Sequence, residues 1–193
     1  MVDEDSVERT TAFFAVEVLS RAWARRPFKR HRLDLHFAGP VPPYLMTGHT
    51  FTAVTMQPVN SRWFRVGVLD RSTAPIYDVS VQLISVDPAN IVPVVPLPLH
   101  LMHDNPAMGQ PHVRTFSVQP GGDEPTQYVD VVSKIVGQQA IQIEHIVPGV
   151  SKLFAAGSYK FGLRISAPYQ RSRMRAFSVG LDDQGELTFQ QES

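Results

Sequence analysis

No cysteine occurs in the 193 residues, which excludes disulfide bonds, thiolate metal sites and a cysteine nucleophile. An excess of charge of one sign is also lacking. Eighteen Lys and Arg stand against eighteen Asp and Glu, so no global field draws the molecule to nucleic acid or to a membrane surface. The longest apolar run near the amino terminus, Ala12 to Val16, is too short to span a bilayer and is followed by Glu17 and Arg21. The first residues, MVDEDSVE, are acidic, where a signal or transit peptide is basic or acid-poor. The expectation is a cytoplasmic protein, neither exported nor membrane-spanning.

Catalytic signatures are missing as well. There is no G-x-S-x-G elbow, no phosphate-binding glycine loop and no H-E-x-x-H. Asp182 and Asp183 sit beside the turn residue Gly185, where aspartate serves backbone hydrogen bonding. Glu144 and His145 are adjacent, so on a strand they face opposite ways. These absences point away from an enzyme.

What is present is β patterning, clearest from Arg62 to Asp87. Phe64, Val66 and Val68 alternate with Arg65 and Gly67; Val79, Val81 and Leu83 alternate with Ser80 and Gln82. Period two places one set on a buried sheet face and the other in water. Ser72, Thr73 and Pro75 turn the chain between the two strands. Leu33, Leu35 and Phe37 predict an earlier strand, broken by Gly39 to Pro43, and Phe51 to Met56 is read as its resumption.

Pro93, Pro96 and Pro98 deny Val94 to Met102 a central position, because proline lacks the donor a ladder needs. That segment is read as an edge strand or an extended crossover. Further strands are expected at His112 to Val118, Tyr128 to Ser133, Ala140 to Ile146 and Tyr159 to Ile165. Met174 to Leu181 and Glu186 to Phe189 read as a hairpin around Asp182-Asp183-Gln184-Gly185. The expected core includes Phe64, Val66, Val81, Leu83, Tyr159, Phe161 and Leu163.

Residues from about Ser6 to Arg26 carry helical signals. Asp5 with Glu8 makes a capping-box arrangement, Arg21, Arg25 and Arg26 lie near the end, and Pro27 stops the run. Val7, Phe14, Val18 and Ala22 form one stripe, continued by Ala12, Val16, Leu19 and Trp23. Together they cover roughly half the circumference, about twice what one sheet face normally covers. Such a helix is either wedged against its own sandwich or shared with a second subunit or partner. The partner-binding set expected on this ground is Phe14, Val18, Leu19 and Trp23, with Arg25, Arg26, Lys29 and Arg30 at the rim.

Three pieces, RVGVLDRSTAPIYDVSVQL, FSVQPGGDEPTQYVDVV and AAGSYKFGLRI, resemble the strand–turn–strand, "PG" turn and "aG.Y.l.l.v" patterns of bacterial immunoglobulin-like domains. These are the domains related to fibronectin type III and to the cell-adhesion-related CARDB type. The resemblance covers roughly Arg62 to Leu181. It departs at Asp70-Arg71-Ser72, where those domains often carry asparagine and glycine, and there is no cysteine pair of the antibody kind. It implies an antiparallel sandwich that binds, spaces or presents other domains.

The densest chemical constellation is His100-Leu101-Met102-His103-Asp104 with His112 nearby. If the segment is extended, His100 and His103 face opposite ways, and only a break at the strand end brings them together. No metal or other cofactor is therefore expected. Basic clusters at Arg21 to Arg32 and at Arg171, Arg173 and Arg175 are read first as charges that offset a helix dipole and solubilise a linker, since charge is neutral overall and no nucleic-acid-binding motif is present. The alternative is a binding surface, for an acidic protein partner before phosphates or nucleic acid.

The fold class expected is all-β: an immunoglobulin-like antiparallel β-sandwich over residues 31–193 with an N-terminal α-helix and basic linker over residues 1–30. The function expected is a non-enzymatic structural or interaction module that engages a protein partner or a second copy through that helix and the sandwich loops. The alternatives are a virion or other large-shell structural protein, and a metal-dependent enzyme using His100, His103 and His112.

Overall fold

The chain forms thirteen strands among the described residues of the computed structural model, which are 33–51, 57–89, 95–102, 104 and 111–192, and apolar alternation marks the long ones. They are β1 (Leu33–His36), β2 (Leu45–Phe51), β3 (Pro58–Asp70), β4 (Ile76–Asp87), β5 (Leu97–Pro98), β6 (His100–Leu101), β7 (Phe116–Val118), β8 (Gln127–Ile135), β9 (Ala140–Ile143), β10 (Leu153–Ala155), β11 (Tyr159–Ser166), β12 (Arg173–Leu181) and β13 (Leu187–Gln191). Every regular element among the described residues is a strand.

This corrects the expected fold class. The described residues are all-β and form two sheets, with no helix among them. The helix expected at about Ser6 to Arg26 lies outside the described residues, as does the strand resumption at 52–56. Caps and apolar periodicity are local signals, whereas most helical stability in a protein comes from packing of the apolar face. Among the described residues no helix is long and apolar enough to cross a membrane.

One sheet runs β1-β3-β8-β9-β10, with β2 also paired to β3 and β6 to β8. The other runs β13-β12-β11-β4-β5, with β7 also paired to β4. Every pairing is antiparallel. Both sheets contribute to one hydrophobic core, an arrangement consistent with a β-sandwich. All seven core residues expected from alternation are buried, while Lys160 between them is exposed.

The β3–β4 pair is not a hairpin. Its two strands belong to different sheets, so residues 71–75 carry the chain over the edge of the core. The corner is fastened locally. Asp70 Oδ1 accepts from Ser72 N at 2.8 Å, and the Asp70 carbonyl accepts from Gly121 N at 3.1 Å. Arg71 Nε donates to Asp123 Oδ1 at 2.7 Å.

The proline-rich segment is both an edge and a crossover. Leu97 and Pro98 pair with β4 of one sheet, and His100 and Leu101 pair with β8 of the other. Between them Leu99 bridges His145, and its N–H donates to the Val81 carbonyl at 3.0 Å. Pro96 and Pro98 lack the N–H that a longer ladder on β4 needs, and the chain changes sheet where that ladder stops.

At the β12–β13 turn, Asp182 Oδ1 accepts from Gln184 N at 2.9 Å and Glu186 N at 2.8 Å. Gly185 takes φ 75°, a backbone region that costs glycine little. Asp182 thus has the turn role expected of it.

His145 is buried and neutral. Its Nδ1 accepts from Val147 N at 3.2 Å, and its Nε2–H donates to the Ser151 carbonyl at 3.3 Å. Burial, with Lys152 adding to it, pulls its pKa below the ordinary histidine value. A base whose folded pKa is depressed must take up a proton on unfolding, so stability is full above about pH 6.5 and declines as pH falls below it. Chemical denaturation at pH 7.5 and 5.5 is expected to show a smaller loss for His145→Gln than for the natural chain. The difference between the two chains isolates His145, because every other titrating group is common to both.

Candidate functional site

The crossover positions the most concentrated chemistry in the described structure. β6 ends at Leu101, and the chain turns so that Asp104 N donates to the Leu101 carbonyl at 2.9 Å. This is the strand-end break that an extended reading excludes. It brings Asp104 beside His100; His103 lies outside the described residues. The backbone returns at His112, whose Nδ1–H donates to Asp104 Oδ2 at 2.9 Å, while Val113 N donates to the same oxygen at 2.8 Å. The two imidazole rings meet edge to face, 5.1 Å between centroids.

His100, Asp104 and His112 each offer a ligand atom, and these atoms lie within 4.8 Å of one another. Asp104 is buried, His100 is partly buried, and His112 is 38% exposed at its side chain. The trio therefore opens to solvent on the His112 side.

A second carboxylate backs the first histidine. His100 pairs in register with Asp130 of β8, and its Nδ1–H donates to Asp130 Oδ2 at 3.3 Å. Arg65, paired to Asp130 from β3, holds the other carboxylate oxygen through Nε. Burial is the largest single influence on His100 and acts to lower its pKa. The Asp130 hydrogen bond and charge, the Glu144 charge and the Asp104 backbone together outweigh it and raise the value. Glu144 lies next along the sheet, where it accepts from the buried Ser133 hydroxyl and pairs with Lys152 at 3.7 Å. Ser133 is thereby engaged as a structural donor.

The second basic cluster has a different fate from the one its charge suggests. Arg173 Nη1 donates to Asp34 Oδ2 at 2.9 Å, and Arg175 donates through Nη2 at 2.6 Å and Nε at 3.0 Å. These bonds join β12 of one sheet to β1 of the other. Arg171 is exposed at the β11–β12 turn, as are Tyr169 of the same turn (95% exposed) and Met174 at the start of β12 (61% exposed). The amino-terminal set Phe14, Val18, Leu19, Trp23, Arg25, Arg26, Lys29 and Arg30 lies outside the described residues.

No protein-family model, curated protein or solved structure matches this chain. His100, Asp104 and His112 stand in one constellation in the sequence, but an extended reading sets no metal site there, and the turn after Leu101 that gathers them is visible only in the structure. The i, i+4 spacing of His100 and Asp104, just beyond a proline-limited strand, is the signal that was present.

Proposed function

We propose that this protein is a non-enzymatic, immunoglobulin-like β-sandwich module that binds another protein. The observation that carries this reading is the tip of the β11–β12 hairpin. Tyr169 stands there almost fully in water with φ 61°, Arg171 of the same turn is exposed, and so is Met174 at the start of β12. A non-glycine residue in that backbone region is uncommon and bears strain, which points to a role for the side chain outside its own fold. Aromatic residues, methionine and arginine are the types enriched where proteins meet. The hairpin is also stiffened just behind its tip, because Arg173 and Arg175 are tied to Asp34. A preorganised apolar tip loses little entropy on docking.

The amino-terminal residues Phe14, Val18, Leu19 and Trp23, with their basic neighbours Arg25, Arg26, Lys29 and Arg30, are proposed as a second contact on the strength of their composition. One experiment separates the two contacts. The intact chain, a Tyr169→Ser/Met174→Ser double variant and a chain lacking residues 1–27 are compared by light scattering and by pull-down from the native source. The double variant is expected to keep its melting temperature and to lose at least tenfold in partner or self-affinity. Equal binding by all three proteins rejects the reading.

A further inference from the structure

We infer that His100, Asp104 and His112 form a binding site for a divalent ion of the zinc class, with at least one coordination position open to solvent. Two imidazoles and one carboxylate make a borderline nitrogen and oxygen donor set, which suits first-row transition ions such as Zn²⁺ rather than Ca²⁺ or Mg²⁺. Three protein ligands leave a tetrahedral ion its fourth position for water or another donor. Here that position falls on the side where His112 reaches solvent.

The distances fit with little rearrangement. Ligand atoms about 2.1 Å from a tetrahedral ion stand roughly 3.4 Å from each other. His112 Nδ1 and Asp104 Oδ2 are 2.9 Å apart, and the whole trio lies within 4.8 Å. An ion entering between the pair takes the place of the proton they share, and side-chain rotation of about an ångström closes the remainder.

The surroundings supply a second and independent observation. His100 gives its Nδ1–H to Asp130, so an ion bound by this ring would take Nε2. Histidines that ligate metals are almost always oriented in this way by a carboxylate or carbonyl, and the partner fixes the tautomer and raises ligand basicity. Asp130 is in turn anchored by Arg65, and Asp104 is aimed by the Val113 N–H. A surface pair of histidines needs none of this support.

An ion held there joins Asp104, just past the end of β6, to His112, ahead of β7. In a chain without cysteine it would act as the staple that a disulfide provides elsewhere.

Isothermal titration of the untagged, metal-stripped full chain with ZnCl₂ tests the inference, alongside His112→Ala, Asp104→Asn and a control variant, His49→Ala, at an exposed histidine of β2. One ion per chain is expected, bound at micromolar or tighter. The first two variants should weaken binding at least tenfold, and the control should leave it unchanged. Zn²⁺ at a hundredfold excess over its dissociation constant should also raise the melting temperature by about 5–10 °C. Co²⁺ in its place should give visible d–d bands without thiolate charge-transfer absorption. His112 is exposed enough for its variant to fold, and circular dichroism checks that it does. No uptake by the natural chain, or natural-chain affinity in folded His112→Ala, overturns the site.

Discussion

Phe189→Ala is expected to cost about 3–5 kcal/mol of stability, the range for truncating a buried phenylalanine. Phe189 lies on the edge strand β13, yet it is almost wholly buried and joins the two sheets. Its ring stacks on Phe177 of β12 at 4.9 Å and on Phe64 of β3 at 5.5 Å, and meets Phe37 edge to face at 4.9 Å. Removing it takes one partner from three aromatic contacts and leaves a cavity between sheets that cannot close without shifting both. A domain of this size moves its melting temperature by roughly 2–4 °C per kcal/mol, so a loss of about 6–20 °C is expected by calorimetry. A shift below about 3 °C would mean that the sheets are held together elsewhere.

Asp34 carries the second large effect, and this one depends on pH. The carboxylate is buried, and burial is the largest influence, acting to raise its pKa. Arg175, through hydrogen bond and charge, the Leu35 N–H and Arg173 more than reverse it, so the value is lowered. A carboxyl with a depressed folded pKa stabilises fully above its unfolded value, near 3.9, and that contribution is lost as pH falls through the folded value. Asp34→Asn keeps the shape but not the charge. It is expected to cost about 2–3 kcal/mol at pH 7, the scale of hydrogen bonds to charged groups. The loss is held to that scale because Arg173 and Arg175 are 46% and 39% exposed and regain water. The variant should also flatten the decline in stability between pH 4 and pH 2. Denaturation curves at pH 7, 4 and 2 test both parts, and parallel pH profiles for the two proteins would reject the ion pair as their source.

Short elements escaped the sequence for identifiable reasons. β2 pairs along the first half of β3 and contains no buried residue in Leu45 to Thr50, so it shows no apolar alternation. β10 spans three residues, too few for any period to emerge. Turn chemistry was more legible, because Asp182 and Gly185 act within their own neighbourhood.

The sequence by itself determined which face of each long strand is buried. A side-chain period of two is a local property, and Phe161, Leu163 and Ile165 cannot share a face with Lys160. It also determined that the proline-rich segment stays at an edge, since missing N–H donors are local too. Only the tertiary structure decided which strands share a sheet. Residues 71–75 pass between sheets rather than forming a hairpin, and the pairing that settles this is remote in sequence. The same holds for the chemistry. Asp34 meets Arg173 and Arg175 across 139 and 141 residues. His100 meets its orienting Asp130 across 30, and gathers Asp104 and His112 only because the strand breaks where the sheet edge ends. Long-range pairs depend on how two separate sheets stack and where a ladder stops, and no period in the sequence encodes either.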